Sequence, residues 1–395
     1  MKSGEQVEIT RFLSGPFALI FAVIDDRHDV QKKQTMEEQM RFLQKISLMC
    51  AALLMLATPA LAQKTVKWKL AMSWPSTLTP FASTVQKFAQ SVSDMTGGKF
   101  IIKVDGKEKH KAALGILDMV RGGQYEMGHS ASYYWKGKDI TSVFFTTAPF
   151  GMTTAEQNGW FYYGGGMELM EKSYEKFRVL SFPGGNTGVQ MGGWFRKEIA
   201  SLDDLKGLKM RIPGLAGEVF AKLGVNVTNI PAGELYTSLD RGTIDALEWV
   251  GPGMDIKMGF HKIAPYYYTG WHEPATELQY LVNPRAYDRL SPEYKAILMI
   301  AMRAATSDMY NENFHDSANA WAKMKTEYPN IKVKTFPEPV LKAMKNATDE
   351  VMESYAAENE EFKTVYESQK AYMAKAREWT KISDYYYIQT SEMVE

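Results

Sequence analysis

Residues 203–252 read DDLKGLKMRIPGLAGEVFAKLGVNVTNIPAGELYTSLDRGTIDALEWVGP and contain two short alternating runs separated by helical patterns. The first run, 208–212, carries Arg211 just before a Pro-Gly turn, and the second run ends on Glu248 and Trp249. Open α/β sheets bind ligands beyond the carboxyl ends of their strands. Two strands that bring a guanidinium and a carboxylate to this edge predict a single pocket for a small anion.

The composition is that of a globular protein and argues against nucleic acid as the main partner. The 395 residues are 45% apolar, 23% charged and 12% aromatic, which is too aromatic for a disordered chain. Lys+Arg and Asp+Glu both number 46, and no long basic run occurs. A chain of this length predicts two lobes.

Residues 40–62 have the pattern of a secretory signal peptide. A basic start is followed by an apolar core over 46–56 and by an Ala-Leu-Ala cleavage pattern, so we expect the mature chain to start at Gln63 in the periplasm. A buried N-terminal helix is the alternative. Residues 1–39 precede this signal and are interpreted as a miscalled start or a non-native extension. The single cysteine lies inside the apolar core, so the mature chain would contain no disulfide and no thiolate metal ligand.

The mature sequence alternates strand and helix patterns and predicts an α/β fold. Residues 64–104 show a strand–helix–strand order, which is typical of a domain with a parallel sheet. Near the end of the chain, 339–381 carries apolar side chains at a spacing of roughly 3.6 residues. We predict a long C-terminal helix that either crosses both lobes or pairs with a partner chain. A helix that covers only its own core is the alternative.

Arg211 and Glu248 are the strongest candidates for binding residues. A guanidinium can donate two parallel hydrogen bonds to a carboxylate, although Arg211 also fits an exposed basic run. Glu248 lies in an apolar run, and a buried carboxylate requires a paired cation or metal. Its surroundings suit a hard cation such as Na⁺ or Ca²⁺, and a salt bridge with Arg211 is equally compatible with the sequence.

Other candidates have weaker individual signals. Glu273 lies beside aromatic residues in TGWHEPATE and could complete the cation shell, or it could be an exposed loop acid. Gln190 stands between glycines, where its amide could bind a ligand or be solvated. Tyr133 and Tyr134 offer apolar rings with polar tips, which suit either a pocket or a core.

No catalytic motif supports an enzyme. The sequence contains no GxxxxGK[ST] phosphate loop, no GxSxG elbow and no HExxH helix, and its histidines show no metal-ligand spacing. A secreted lyase or hydrolase that uses Glu248 and Glu273 as an acid/base pair is the alternative from another class. A further alternative is a sensor or assembly protein that acts through the C-terminal helix.

Several segments resemble the periplasmic solute receptors of TRAP (tripartite ATP-independent periplasmic) transporters, and among them the branch that binds α-keto acids such as pyruvate. They are GHSASYYWKGKD, PFGM, GNTGVQMGGWFRKEI, LKGLKMRIPGLAGEVFAKLG and GTIDALEWVGP. The resemblance extends over about 64–380. It implies an α/β fold with two lobes, a ligand cleft between them and a long C-terminal helix. It also implies a small-molecule carboxylate as ligand and TRAP permease subunits in the membrane as partners.

The resemblance also assigns roles to the candidate residues. Arg211 would pair with the ligand carboxylate, and Tyr133 and Tyr134 would lie near the ligand. The resemblance further implies a bound Na⁺, or alternatively Ca²⁺, held by protein oxygen atoms. Some members dimerise by exchanging the C-terminal helix, which predicts a homodimer. The expected cation ligands are Gln190, Glu248, Trp249 through its carbonyl, and Glu273.

On this basis we divide the chain into segments. The first lobe is expected over 63–187 with part of 277–335, the second over 188–276, and the C-terminal helical segment over 336–395. The sequence VDGKEKHKAALGI departs from the more apolar loop of relatives, and we expect its Lys107, Lys109, His110 and Lys111 to alter the rim of the cleft. A receptor for lactate, a polyol or a bulkier organic acid therefore remains an alternative.

Overall fold

The computed structural model describes residues 46–47 and 65–394. Apart from 46–47, the predicted signal peptide and the extension before it lie outside the described residues. No helix in the described part of the chain combines the length and apolar character needed to cross a membrane.

Strands alternate with helices along residues 65–282, as predicted. In chain order the described strands are β1 (Val66–Met72), β2 (Phe100–Asp105), β3 (Met127–Ser130), β4 (Leu180–Asn186), β5 (Gly193–Phe195), β6 (Lys209–Arg211), β7 (Asn226–Thr228), β8 (Ala246–Leu247), β9 (Tyr266–Tyr268), β10 (Glu277–Val282) and β11 (Lys332–Lys334).

Helices of very different lengths connect and cover these strands. The described α-helices are α1 (Phe81–Met95), α2 (Lys107–His110), α3 (Ile116–Arg121), α4 (Thr154–Tyr163), α5 (Gly166–Glu175), α6 (Gly214–Lys222), α7 (Leu235–Asp240), α8 (Pro252–Met258), α9 (Pro284–Asp288), α10 (Pro292–Glu327), α11 (Glu338–Glu358), α12 (Glu360–Thr380) and α13 (Tyr386–Glu392).

The strands form two separate sheets, which confirms the two-lobed α/β fold. The first sheet has the order β2-β1-β3-β10-β4 and the second the order β11-β9-β5-β8-β6-β7. In the first sheet β1 pairs in parallel with β2 and β3, while β10 runs antiparallel to its neighbours. We call the first sheet with α1–α5 the first lobe, and the second sheet with α6–α8 the second lobe.

Local patterns explain the opening unit of the first lobe. The predicted apolar face of α1 is buried, because its side chains recur once per turn and pack on the sheet. Two short helices follow β2: α2 ends before Lys111, which adopts a left-handed φ of 60°, and α3 begins at Ile116. A left-handed residue cannot continue a right-handed helix, so α2 ends there.

The predicted run at 243–250 forms a strand only over Ala246–Leu247. Glu248 and Trp249 therefore lie in the irregular chain just beyond the strand. The glycine-rich segment 184–195 connects the two sheets, and its middle part, 187–192, is irregular, with β4 before it and β5 after it. Thr187 N and Gln190 N instead donate to carbonyls of the returning segment, Thr276 O and Glu273 O.

Two long helical regions connect the lobes. Helix α10 packs on β4 and α1 of the first lobe and on α8 of the second. The predicted C-terminal helix is interrupted at Asn359, whose extended φ/ψ of −138°/107° separates α11 from α12. Helix α11 packs on α6 of the second lobe, and α12 packs on α4 and α5 of the first. The segment therefore crosses both lobes, as predicted, with one break in it.

Candidate functional site

Arg211 and Glu248 occupy the carboxyl ends of neighbouring parallel strands. Arg211 is paired with Leu247 in the β6–β8 ladder, and the Glu248 backbone N–H donates to the Arg211 carbonyl at 3.0 Å. Arg211 Nη1 donates to the Glu248 carbonyl oxygen at 2.5 Å and to Glu248 Oε2 at 3.1 Å. Both side chains are 1% exposed. The two charges therefore form one buried pair, which is the salt bridge that the sequence left open as an alternative.

The rest of the guanidinium is held in place from two sides. Arg211 Nε donates to the Ile230 carbonyl at 3.3 Å, and the guanidinium carbon lies 5.4 Å from the centre of the Trp249 ring. Within residues 65–394, Nη2 forms no hydrogen bond. This leaves one edge of a fixed guanidinium for an anionic ligand.

Gln190 and Glu273 come together where the chain passes between the two sheets. The Gln190 backbone N–H donates to the Glu273 carbonyl at 2.9 Å. Gln190 Nε2 donates to Thr187 Oγ1 at 3.0 Å, which fixes the amide and directs its oxygen elsewhere. Thr276 Oγ1 donates to Glu273 Oε2 at 2.6 Å. Both predicted cation ligands are thus buried and oriented by hydroxyl groups.

Several of the polar atoms at this junction lack partners. Among the described residues, neither Gln190 Oε1 nor Glu248 Oε1 has a hydrogen-bond partner, although both are buried. Burial raises the pKa of Glu248 to about 8 despite the opposing effect of Arg211. Burial, and next the charge of Glu248, raise the pKa of Glu273 to about 7. Unpartnered buried carboxylate and amide oxygens are costly without a cation, and they are the donors that hard cations prefer.

The structure adds one residue that sequence reasoning missed. His272 is fully buried, and one ligand atom from each of Glu248, His272 and Glu273 lies within 4.8 Å of the other two. His272 Nε2 is 3.6 Å from Glu248 Oε1, and neither ring nitrogen has a partner among residues 65–394. Burial lowers the pKa of His272 to about 4, so the imidazole is neutral. The one signal in the sequence was that His272 is adjacent to the candidate Glu273 in TGWHEPATE. The spacing along the chain did not indicate that His272 would lie near Glu248.

Tyr133 and Tyr134 reach the same region from the first lobe. They follow β3 on a single 3₁₀ turn, Ser132–Trp135. Burial raises the pKa of Tyr134 to about 12. Burial also raises the pKa of Tyr133 well above its ordinary value, and the charge of Glu273 is the next cause of that rise. Both phenols therefore remain neutral hydrogen-bond donors. Trp249 also contacts the first lobe, with its ring centre 6.2 Å from that of Phe81.

The predicted site residues therefore converge on the junction of the lobes. The second sheet supplies a fixed cation and a carboxylate, the crossing segments supply further oxygen donors, and the first lobe supplies neutral aromatic groups. This arrangement can hold an anion against Arg211 and a cation against the oxygen donors.

Comparisons with known proteins assign the chain to a family. A family model described as "Bacterial extracellular solute-binding protein, family 7" (DctP) matches residues 70–359, and the chain belongs to this family. The chain is 42% identical over 323 residues to the monocarboxylate 2-oxoacid-binding periplasmic protein of Nostoc sp., an alignment that covers 82% of this chain and 88% of the relative.

Two solved structures are similar over most of the chain. One is a TRAP periplasmic solute-binding protein from Colwellia psychrerythraea with bound calcium and pyruvate, 55% identical, with a TM-score of 0.82, covering 83% of this chain and 100% of that one. The other, from Pseudoalteromonas atlantica with bound sodium and pyruvate, is 56% identical with a TM-score of 0.82, covering 82% and 99%.

Proposed function

We propose that this chain is the periplasmic receptor of a TRAP transporter and binds a small 2-oxo monocarboxylate, pyruvate or a related α-keto acid, together with a cation. It would deliver the acid to a Na⁺-driven permease in the membrane. The observation that carries this proposal is the buried ion pair of Arg211 with Glu248 Oε2, together with the buried oxygens Glu248 Oε1 and Gln190 Oε1, which have no hydrogen-bond partner among the described residues. The site has one guanidinium, Arg211, and two acids, Glu248 and Glu273. We therefore expect it to bind a cation as well as the ligand anion.

The site residues would divide the work between the two ions. Arg211 would bind the ligand carboxylate through its free Nη2 edge, and Tyr133 and Tyr134 would close the first-lobe side as neutral donors. The cation would be held by Gln190, Glu248, the Trp249 carbonyl and Glu273. The cation would neutralise the buried acids and coordinate an oxygen atom of the bound acid.

Na⁺ is our first choice of cation, with Ca²⁺ as the alternative. The donors are carboxylate, amide and carbonyl oxygens, which suit either hard ion. The two pyruvate-bound relatives carry one ion each, calcium in one and sodium in the other. Neutral His272 borders this shell, and its imidazole would be available to the ligand or the ion.

Binding would require the lobes to separate and close. Arg211 and Glu248 are 1% exposed, Gln190 and Glu273 2% and His272 0%, so a ligand cannot reach them without movement of one lobe. Hinge closure about the crossing segments is the expected motion. Release to the permease would use the reverse movement.

We infer capture without turnover. The described site residues comprise an arginine, acids, amides, aromatics and one neutral histidine, and none of them is an activated serine or cysteine nucleophile. The recovery of intact pyruvate after prolonged incubation would support a receptor. Conversion to a product would instead support the lyase or hydrolase alternative.

The C-terminal segment supports a homodimer. After Thr380 the chain continues through a π-helical turn, Lys381–Tyr385, and α13, and neither element has a buried residue. Trp379, Ile382 and Tyr387 are 67%, 69% and 73% exposed. A second copy of this chain would cover this apolar surface in a symmetric pair. The predicted signal peptide and the extracellular solute-binding family support the proposal that the mature protein acts in the periplasm.

The central test is calorimetric titration of pyruvate. Arg211→Gln should weaken binding by about tenfold or more, because a charge-assisted hydrogen bond is lost. Arg241→Gln, at an exposed arginine of the second lobe, is the matched control. In the wild-type protein, removal of Na⁺ and Ca²⁺ with a chelator and exchange into a Na⁺-free buffer should also weaken binding. Equal affinity with and without the cation would overturn the proposed cation site.

A further inference from the structure

A second cavity lies at the far end of the first lobe and has a strongly basic lining. It has a volume of about 780 Å³, in the range of small-molecule sites. Its walls come from the segments that precede β3 and β4 and from the segment that follows β10. The cationic lining residues are Arg121, Lys176, Arg178, Arg285 and Arg289, and the single acidic lining residue is Glu126.

This cavity is separate from the proposed 2-oxo acid site. The binding residues follow the carboxyl ends of β3 and β4, whereas the cavity lies before the amino ends of the same strands. A seven-residue strand such as β4 spans roughly 23 Å, which sets the distance between the two ends of the sheet. A ligand in the cavity could not touch Arg211 or Glu248.

Among the described residues, three of the arginines form no ion pair. Lys176 pairs with Asp139 and Glu361, and Arg121 lies 3.5 Å from Asp118. Within the described residues, Arg178, Arg285 and Arg289 form no ion pair, and Glu126 Oε2 accepts a hydrogen bond from the Lys69 backbone N–H. In a chain whose formal net charge is zero, this is a local excess of positive charge directed to one concave surface.

The geometry of the cavity favours a multivalent organic anion. A guanidinium can donate two parallel hydrogen bonds to two oxygens of a phosphate. Three guanidinium groups around one concavity therefore favour a ligand with more than one negative charge. The buried rings of Tyr125 and Phe177 form part of the lining and offer an apolar wall to an organic body. Arg178 is held at a left-handed φ of 53°, a conformation that non-glycine residues rarely adopt.

We propose that this cavity binds an organic phosphate group, as a second ligand site independent of the 2-oxo acid site. The group can belong to a free phosphorylated molecule or to an anionic phospholipid headgroup of the membrane surface. In either case Arg178, Arg285 and Arg289 are the binding residues, and occupancy leaves pyruvate affinity unchanged.

The test compares Arg178→Gln and Arg285→Gln/Arg289→Gln with the control Lys197→Gln/Arg241→Gln, which removes two exposed charges from the second lobe. Pyrophosphate and glycerol 3-phosphate are titrated calorimetrically, and co-sedimentation is measured with phosphatidylcholine vesicles with and without phosphatidylglycerol. We expect the cavity variants to lose about tenfold or more in affinity for at least one probe, with the control and pyruvate binding unaffected.

The calorimetric and co-sedimentation measurements together identify the source of the phosphate. Cavity-dependent binding of the free phosphates alone indicates a soluble ligand, and cavity-dependent sedimentation with phosphatidylglycerol indicates a headgroup. Either result supports the site. Binding that falls equally in the cavity variants and the control, or no binding of any probe at physiological ionic strength, overturns it.

Discussion

Lys136 of the first lobe forms an ion pair with Glu218 of the second lobe, beside the candidate site. Lys136 Nζ also donates to the Gly214 carbonyl at 3.3 Å, at the start of the helix that carries Glu218. Both side chains are about one-third exposed, at 32% and 35%. Since the pair spans the lobes, we expect it to break when they separate and to stabilise the closed arrangement.

Removal of this pair should weaken ligand binding modestly. Lys136→Met and Glu218→Gln should each reduce pyruvate affinity by about two- to fivefold, the range expected for a partly exposed ion pair. The effect should shrink as salt rises, because exposed charges are screened. Calorimetry on both single variants and the double variant measures the coupling. Additive losses in the double variant would show that the two side chains act independently.

The protein without its cation should lose stability as the pH rises. The folded pKa values of about 8 for Glu248 and about 7 for Glu273 lie above the ordinary 4.5, so the folded state retains protons that the unfolded state releases. The resulting stability is present at low pH and is lost as the pH rises through the folded values. His272 acts in the opposite direction, because burial lowers its folded pKa to about 4, but this contribution fades above its ordinary value of 6.5, where the unfolded imidazole also loses its proton.

Thermal unfolding of chelator-treated protein in Na⁺-free buffer, between pH 6.5 and about 8, measures this effect. The unfolding temperature should fall by several degrees across the window, and a bound cation should reduce the fall because it stabilises the ionised acids. The pKa of buried Glu277, raised to about 7 by burial, contributes a part that the cation does not change, and Glu277→Gln removes it. An identical slope with and without cation would place the ion elsewhere.

Gly214 should be required for ligand binding as well as for backbone conformation. It adopts a φ of +66°, and a Cβ atom there would lie 3.3 Å from Tyr133 Cδ1. Gly242 has a similar φ of +70° with no neighbour within 4 Å, which makes it a matched control. Both Gly→Ala variants should lose about 1 kcal/mol of stability. Only Gly214→Ala should also lower pyruvate affinity, because it displaces Tyr133; equal affinity of the two variants would contradict this role.

Truncation of apolar groups in the C-terminal segment should abolish the proposed dimer. Trp379→Ser/Ile382→Ser removes two exposed apolar side chains one helical turn apart. Sedimentation or light scattering should give a dimer mass for the wild type and a monomer mass for this variant. Lys375→Ser/Lys381→Ser alters exposed polar residues of the same segment and should remain dimeric. A monomeric wild type at micromolar concentration would exclude the dimer.

Local sequence patterns predicted much of the site because strand ends are local features. Arg211 and Glu248 follow apolar alternation, and paired parallel strands end at the same edge of a sheet, so their proximity was predictable. The salt bridge that was left open for them is present, and it uses only Glu248 Oε2. The second carboxylate oxygen remains for a cation, so the two interpretations of Glu248 are compatible.

The amino-acid sequence by itself determined the α/β alternation, the apolar faces of the helices and the residue types at the strand ends, because these depend on neighbours within a few positions. Only the tertiary structure brought His272 to Glu248, joined Gln190 to Glu273 and broke the C-terminal helix at Asn359. Those relationships depend on how two sheets pack across irregular crossing segments. Packing of distant segments also decides which polar atoms lose their water, and burial is what makes these oxygens costly without a cation.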